Sequence, residues 1–253
     1  MEAMTFLLSP LLGRVPGLVH GFGQRCPGTR EEAREAARAA FRNAGEVFFL
    51  RQVHGCSVVT PPWTEPPDAD ASMAKERGVL LAIETADCLP VLIVDPVRRR
   101  VAAAHAGWRG TSLRVAQEGI RALVREGSNP SELLAALGPG IGPCCYEVGA
   151  DVEAAFGPEG SRFFVPGPGE RKHLDVTAAN RAQLEEAGIP VASIDSIDLC
   201  TRCRADLFFS YRREREASPL GEREASPLGE REASPLGDGA STGRMISVIG
   251  FSA

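Results

Sequence analysis

The chain carries four histidines, His20, His54, His105 and His173, and two of them stand where a metal or a proton could be handled. His54 lies in Arg51-Gln52-Val53-His54-Gly55, directly after the apolar, strand-like run Val47 to Leu50. His105 ends the small-residue run Ala102-Ala103-Ala104 and precedes Ala106-Gly107-Trp108-Arg109-Gly110, a glycine-rich turn into a helix. Between them, Ala86-Asp87-Cys88-Leu89-Pro90 places a thiol at the junction of two apolar runs. Zinc accepts imidazole nitrogen and thiolate sulfur, and a catalytic zinc commonly keeps three protein ligands and one open position. His54, Cys88 and His105 fit that description, each at a strand end where a sheet fixes direction and loops shape a pocket. Cys88 follows His54 by 34 residues and His105 follows Cys88 by 17, so no short metal-binding motif applies. The residues alone also allow a plainer reading, two hydrogen-bonded histidines and a buried free cysteine.

Several neighbours could assist such a site, and each has a structural reading beside the chemical one. The Asp87 carboxylate could orient a ligand histidine, or it could cap a turn. Glu84, four residues before Cys88, could carry a proton; a surface glutamate is the simpler reading. Arg25 and Arg109 are candidate anion holders, because a guanidinium grips phosphate through two parallel hydrogen bonds. Arg109 also stands at the start of an expected helix, itself attractive to phosphate. For both arginines a surface ion pair is the alternative. Trp108 could stack on a base or simply pack. Cys200-Thr201-Arg202-Cys203 has no second pair at finger spacing, although with Cys144 and Cys145 it could form a structural zinc site. His173 could pair with Asp175, and His20 has no evident role.

The elements that must position these groups alternate between strand-like and helix-like. Glu31 to Arg42 is rich in Ala and Arg and predicts a helix. Val79 to Ile83 and Val91 to Val94 read as buried strands. With a turn begun by Asp95-Pro96, they are expected to lie beside Val101 to Ala104. Thr111 or Ser112 is the expected N-cap of a helix with apolar residues at Leu113, Ala116, Ile120 and Leu123. Leu133 to Leu137 reads as a strand leading into the Gly-Pro loop Gly138 to Pro143. Asp175 to Ala187 reads as a helix closed by Gly188, and Ile189 to Ile197 and Met245 to Phe251 as further strands. The class expected is α+β, with mixed β-sheets and interleaved helices in a single catalytic domain over 1–253. It is not a Rossmann series, since no GxGxxG follows a strand. The octad EREASPLG occurs three times in tandem over 214–237. It lacks a periodic apolar face and is far shorter than a solenoid repeat, so a low-complexity surface loop is expected there.

The 253 residues carry a net charge of −5, which argues against nucleic acid as partner because a basic face is needed to displace phosphate counterions. No basic leader and no apolar run of membrane-spanning length is present. The seven cysteines are an odd number spread along a long chain, which favours reduced thiols and a cytoplasmic location. No feature sets an oligomeric state.

Seven segments, in order, resemble motifs of one family. They are QVHG, ADCLPVLI, AHAGWRGT, GPGIGPCCYEVG, HLDVTAANRAQLEEAGI, FFSYRR and TGRMISVIGF, spread over roughly residues 18 to 251. The family is variously called multicopper polyphenol oxidoreductase (laccase-like), peptidoglycan editing factor and purine nucleoside phosphorylase. The resemblance implies that His54, Cys88 and His105 are zinc ligands, and Arg25 matches an early family arginine although Gly21 to Gly28 departs from the usual pattern. It further implies phosphorolysis of adenosine, inosine or methylthioadenosine, with a purine nucleoside and phosphate as small-molecule partners, and adenosine deamination by water as a companion activity. Copper-dependent phenol oxidation is the activity in the oldest family name, but four histidines are few for several coppers. A third reading, hydrolytic editing of peptidoglycan precursors, would use Cys88 as nucleophile.

Overall fold

The computed structural model describes residues 4–26, 28–168, 171–217 and 243–253. In chain order it contains β1 (Phe6–Leu7), β2 (Leu18–Gly23), α1 (Arg30–Phe41), β3 (Glu46–Phe48), β4 (Val58–Val59), β5 (Ala71–Ala74) and β6 (Val79–Thr85). Then come β7 (Leu89–Asp95), β8 (Arg100–Ala106), α2 (Trp108–Ser112), α3 (Val115–Arg125), β9 (Leu134–Leu137), β10 (Glu147–Val148) and α4 (Ala150–Phe156). The chain closes with β11 (Phe164–Pro166), β12 (Lys172–Leu174), α5 (Val176–Glu186), β13 (Ile194–Ser196), α6 (Tyr211–Ala217) and β14 (Met245–Phe251). Two larger sheets run β1-β2-β14-β6-β3 and β13-β9-β7-β8-β5-β4, and a small one runs β10-β12-β11. Both larger sheets mix orientations, with β3/β6, β4/β5 and β13/β9 parallel and the other pairs antiparallel. The expected α+β class with mixed sheets is the fold observed.

Side-chain alternation explains how the layers stack. In β6, Leu81 and Ile83 face the same core as Leu92 and Val94 of β7 and Ile249 of β14, so the two sheets pack face to face. The alternate residues Val91 and Ile93 of β7 point outward, against Ile120 and Leu123 of α3 and Leu184 of α5. On the far side, Leu80, Ala82 and Val248 are covered by Ala33 and Ala37 of α1. The order is helix, sheet, sheet, helix. Strands with both faces covered must read as unbroken apolar runs, and each Leu or Ile buried this way contributes about 2 kcal/mol.

Local chemistry sets the element ends. Thr29 and Glu32 form a capping box at the start of α1. Asp95 accepts hydrogen bonds from the N–H groups of Val97 and Arg98, which closes the β7–β8 hairpin. Asp175 caps α5, and Gly188, at φ +98°, ends it.

Three expectations need correction. β6 does not lie beside β7 and β8, because the three residues after Thr85 carry the chain from one sheet to the other. Thr111 and Ser112 lie inside the short helix α2, and α3 begins only after Arg114, whose φ of 62° breaks the helix. Leu113 falls at this break and is 52% exposed, off the apolar face to which it was assigned. Of Ile189 to Ile197 only Ile194–Ser196 is strand; Val191–Ser193 is a 3₁₀ turn. The first four residues of the octads, Glu214 to Ala217, lie in α6, and the rest of 214–237 lies outside the described residues. Among the described residues no helix is long and apolar enough to cross a membrane.

Candidate metal centre

The fold brings His54, Cys88 and His105 together, with their ligand atoms within 4.8 Å of one another. Cys88 Sγ lies 4.0 Å from His54 Nε2, near the roughly 3.5 Å separating two such donors on a tetrahedral zinc. The two imidazole rings meet edge to face at 4.9 Å. Cys88 stands in the crossing between the sheets, directly ahead of β7, and His105 is on β8 paired with Pro90 of β7. His54 follows β3 in a loop and adopts φ 61°, while Asp87 adopts φ 89°. Left-handed backbone at non-glycine residues costs about 1–3 kcal/mol each, and such strain gathers at functional sites.

Asp70, which no spacing in the sequence singles out, organises the centre. Its fully buried carboxylate accepts from His105 Nδ1 at 2.8 Å. It also accepts from the N–H groups of Val53, His54 and Gly55 at 3.1, 2.9 and 2.7 Å. One carboxylate therefore fixes the loop that carries His54 and the tautomer of His105, leaving His105 Nε2 for the site. Burial pushes the Asp70 carboxyl up, but the hydrogen bond to His105, the charge of His105 and the backbone N–H groups outweigh it and leave the group below the usual carboxylate range. Burial likewise raises the Cys88 thiol. The charge of His105 and hydrogen bonds from His105 and His54 overcome this and bring it to about 6. His105 is held up at about 9, against burial, by the Cys88 thiolate and Asp70.

The donor set fits a zinc ion. It offers two imidazole nitrogens and a thiolate already favoured in its charged form, with one histidine anchored through its far nitrogen. Space is reserved as well. A Cβ on Gly107 would stand 2.8 Å from Cys88 Sγ and 3.4 Å from His54 Cδ2, so only glycine leaves the ligands room.

The walls come from three of the sequence motifs. Gln52 exchanges two hydrogen bonds with the backbone of Glu84, tying the His54 loop to the end of β6. The Gly-Pro loop lies against the Cys88 turn, with Ile141 N–H donating to Asp87 O and Gly138 N–H to Pro90 O. Asn180 and Gln183 of α5 bind Thr111, which fixes α2 behind His105.

Other candidates sit differently from expectation. The Asp87 carboxylate does not orient a histidine. It accepts from Thr201 Oγ1, Ser210 Oγ and the Arg212 N–H, holding the turn against the chain that follows Cys200. Glu84 is not at the surface; it is 3% exposed and bonded to both Arg30 and Arg34 of α1. Arg25 donates to Ala205 O and lies over the Phe209 ring, and Arg109, within α2, lies over Trp108. His173 donates to Pro143 O instead of pairing with Asp175, and His20 accepts from Ser9 N–H. Tyr146 of the same Gly-Pro motif is partly buried against the core. Burial, then the Cys88 charge, pushes its hydroxyl well above the usual range, and Arg212 stacks on its ring. Cys144, Cys145, Cys200 and Cys203 converge in a second cluster.

Comparison with known proteins identifies the chain's relatives. The family profile described as multi-copper polyphenol oxidoreductase laccase matches residues 27–223. A purine nucleoside phosphorylase of Deinococcus radiodurans is 41% identical over 189 residues, covering 74% of this chain and 72% of that protein. Adenosine deaminase RL5, from an unknown prokaryotic organism, is 40% identical over 185 residues, 66% of this chain and 70% of its own length. The crystal structure of YlmD from Geobacillus stearothermophilus superposes with a TM-score of 0.79 at 28% identity, covering 100% of this chain and 98% of that one. A match that takes in most of the chain, with relatives this similar, places the protein in the multi-copper polyphenol oxidoreductase laccase family.

Proposed function

We propose that this protein is a cytoplasmic, zinc-dependent purine nucleoside phosphorylase, cleaving adenosine, inosine or methylthioadenosine with phosphate and also deaminating adenosine. The observation that carries the reading is the convergence of His54, Cys88 and His105 around one point, with Asp70 fixing the outer nitrogen of His105. Relatives named for phosphorolysis and for deamination supply the substrate class. Zinc held by these three residues supplies Lewis acidity and lowers the pKa of water, which suits both reactions.

The chain's own groups divide the remaining work. Asp70 keeps His105 Nδ1 protonated so that Nε2 faces the site. Tyr146, whose hydroxyl is pushed up by burial and then by the charge of Cys88, keeps its proton and can serve as a donor. Asp87 keeps the Cys88 turn in register through its three hydrogen bonds. Arg25 and Arg109 are the groups we assign to phosphate; each now leans on an aromatic ring, which leaves the guanidinium plane able to reorient without losing a buried ion pair. Copper chemistry at several centres lacks the imidazoles it needs, since His20 and His173 are committed to Ser9 and Pro143 and two histidines remain.

The test is a chromatographic assay of inosine with phosphate, using zinc-loaded protein and its Cys88→Ala variant. Phosphate-dependent release of base by the parent, at least a hundredfold weaker in the variant, is expected. Equal turnover by the two would end the zinc reading, and absence of phosphorolysis in both would end the substrate assignment.

A further inference from the structure

Away from the first centre, two loops present four thiols to each other. Cys144 and Cys145 belong to the Gly-Pro loop, Cys200 and Cys203 to the turn after β13, and all four Sγ atoms lie within 4.8 Å of one another. Cys203 Sγ stands 3.7 Å from Cys144 Sγ and 3.4 Å from Cys145 Sγ. A disulfide requires about 2.05 Å, whereas four sulfurs about 2.3 Å from a tetrahedral zinc are about 3.8 Å apart. The spacing is that of ligands around an ion.

The backbone around Cys200 supports the same conclusion. The Gly142 N–H donates to its sulfur at 3.3 Å, joining the two loops at this point. Arg202 Nη1 lies 3.5 Å from Cys145 Sγ, placing a positive charge beside a cluster that would carry −2 with zinc bound.

We propose that Cys144, Cys145, Cys200 and Cys203 form a second, structural metal site, a zinc tetrathiolate that clamps the Gly-Pro loop to the chain segment 200–213. Four protein ligands leave no open position, so the site stabilises and does not catalyse. Both clamped segments grip the Cys88 turn: Ile141 binds Asp87 O, while Thr201, Ser210 and Arg212 bind the Asp87 carboxylate. The second ion thus fastens the walls around the first centre. The claim stands apart from the nucleoside reading, since it concerns metal content alone.

The test is metal analysis of full-length protein purified with reductant and without added metal. About two zinc ions per chain are expected, falling to one in Cys200→Ser/Cys203→Ser and to one in His54→Ala/Cys88→Ala. Cobalt exchanged into the latter variant should show the strong sulfur-to-metal charge-transfer band of four thiolates, a readout that needs none of the four cysteines altered. One zinc per chain that survives Cys200→Ser/Cys203→Ser, or a cobalt spectrum without that band, would overturn the proposal. So would a disulfide joining Cys203 to Cys144 or Cys145 in the purified protein.

Discussion

The Asp70 carboxylate accepts one hydrogen bond from a candidate ligand ring and three from the backbone around another. Replacing it by Asn keeps the shape but removes the charge, and one of the two terminal atoms becomes a donor facing donors. Outer hydrogen-bond partners of metal-bound histidines are typically worth 10–100-fold in metal affinity. Asp70→Asn is therefore expected to weaken zinc binding by about that factor, measured by chelator competition, with a smaller loss at the tetrathiolate cluster. Unchanged affinity would mean that Asp70 serves only the loop. The three candidate ligands were readable because His and Cys at strand ends are few in this chain. Asp70 was not, since a lone Asp in the run Ala69-Asp70-Ala71-Ser72 carries no spacing signal, and its partners are 15 to 17 residues upstream or 35 downstream. Asp87 drew attention instead because it adjoins Cys88 in sequence. At φ 89° its side chain leaves on the opposite side, toward Thr201 and Ser210.

At the scale of elements, α1 is fastened to its sheet by one charged group. Glu84, on β6, receives paired hydrogen bonds from Arg30 and Arg34, and its side chain is 2% exposed while theirs are 41% and 16%. Burial pushes the Glu84 carboxyl up, but the two arginines outweigh it and hold the group below the usual carboxylate range. A depressed folded-state pKa contributes stability that is fully present above the unfolded value. It is lost as pH falls through that value toward the folded one. Glu84→Gln should thus destabilise the protein at pH 7, by about 2–3 kcal/mol given that Arg30 is partly hydrated. The gap from the parent should close as pH falls below about 4.5, within the usual carboxylate range. Thermal melts of both proteins from pH 7 downward check this, and a gap independent of pH would point to lost packing instead. The helix itself was legible from its Ala- and Arg-rich composition, its Thr29 capping box only from the structure. The role of Glu84 was not, because its partners lie 50 and 54 residues away.

For the whole molecule, the layered order accounts for what the sequence could and could not reveal. Runs such as Val79 to Ile83 and Val91 to Val94 are apolar on both faces, so their short length marks them as buried strands without saying which sheet each joins. The assignment is made by the crossing at Ala86 to Cys88, and that crossing also delivers a candidate ligand. Packing between the sheets should consequently be coupled to the metal centre more tightly than packing on the outer helices. Phe22 is fully buried in the intersheet core, and its ring lies where a Cβ on Gly138 would be, 2.3 Å from Cδ1, beside Pro90. Ile120 on α3 is equally apolar and 2% exposed but belongs to the outer layer. Phe22→Ala and Ile120→Ala should each cost about 3–4 kcal/mol of stability through the cavity they leave. Only Phe22→Ala removes support from beneath the Gly-Pro loop and the Cys88 turn. Measured well below both melting temperatures, its zinc affinity should fall severalfold while that of Ile120→Ala stays at the parent value. Equal losses in the two would mean that the centre senses global stability alone, and that the crossing between the sheets has no special hold on it.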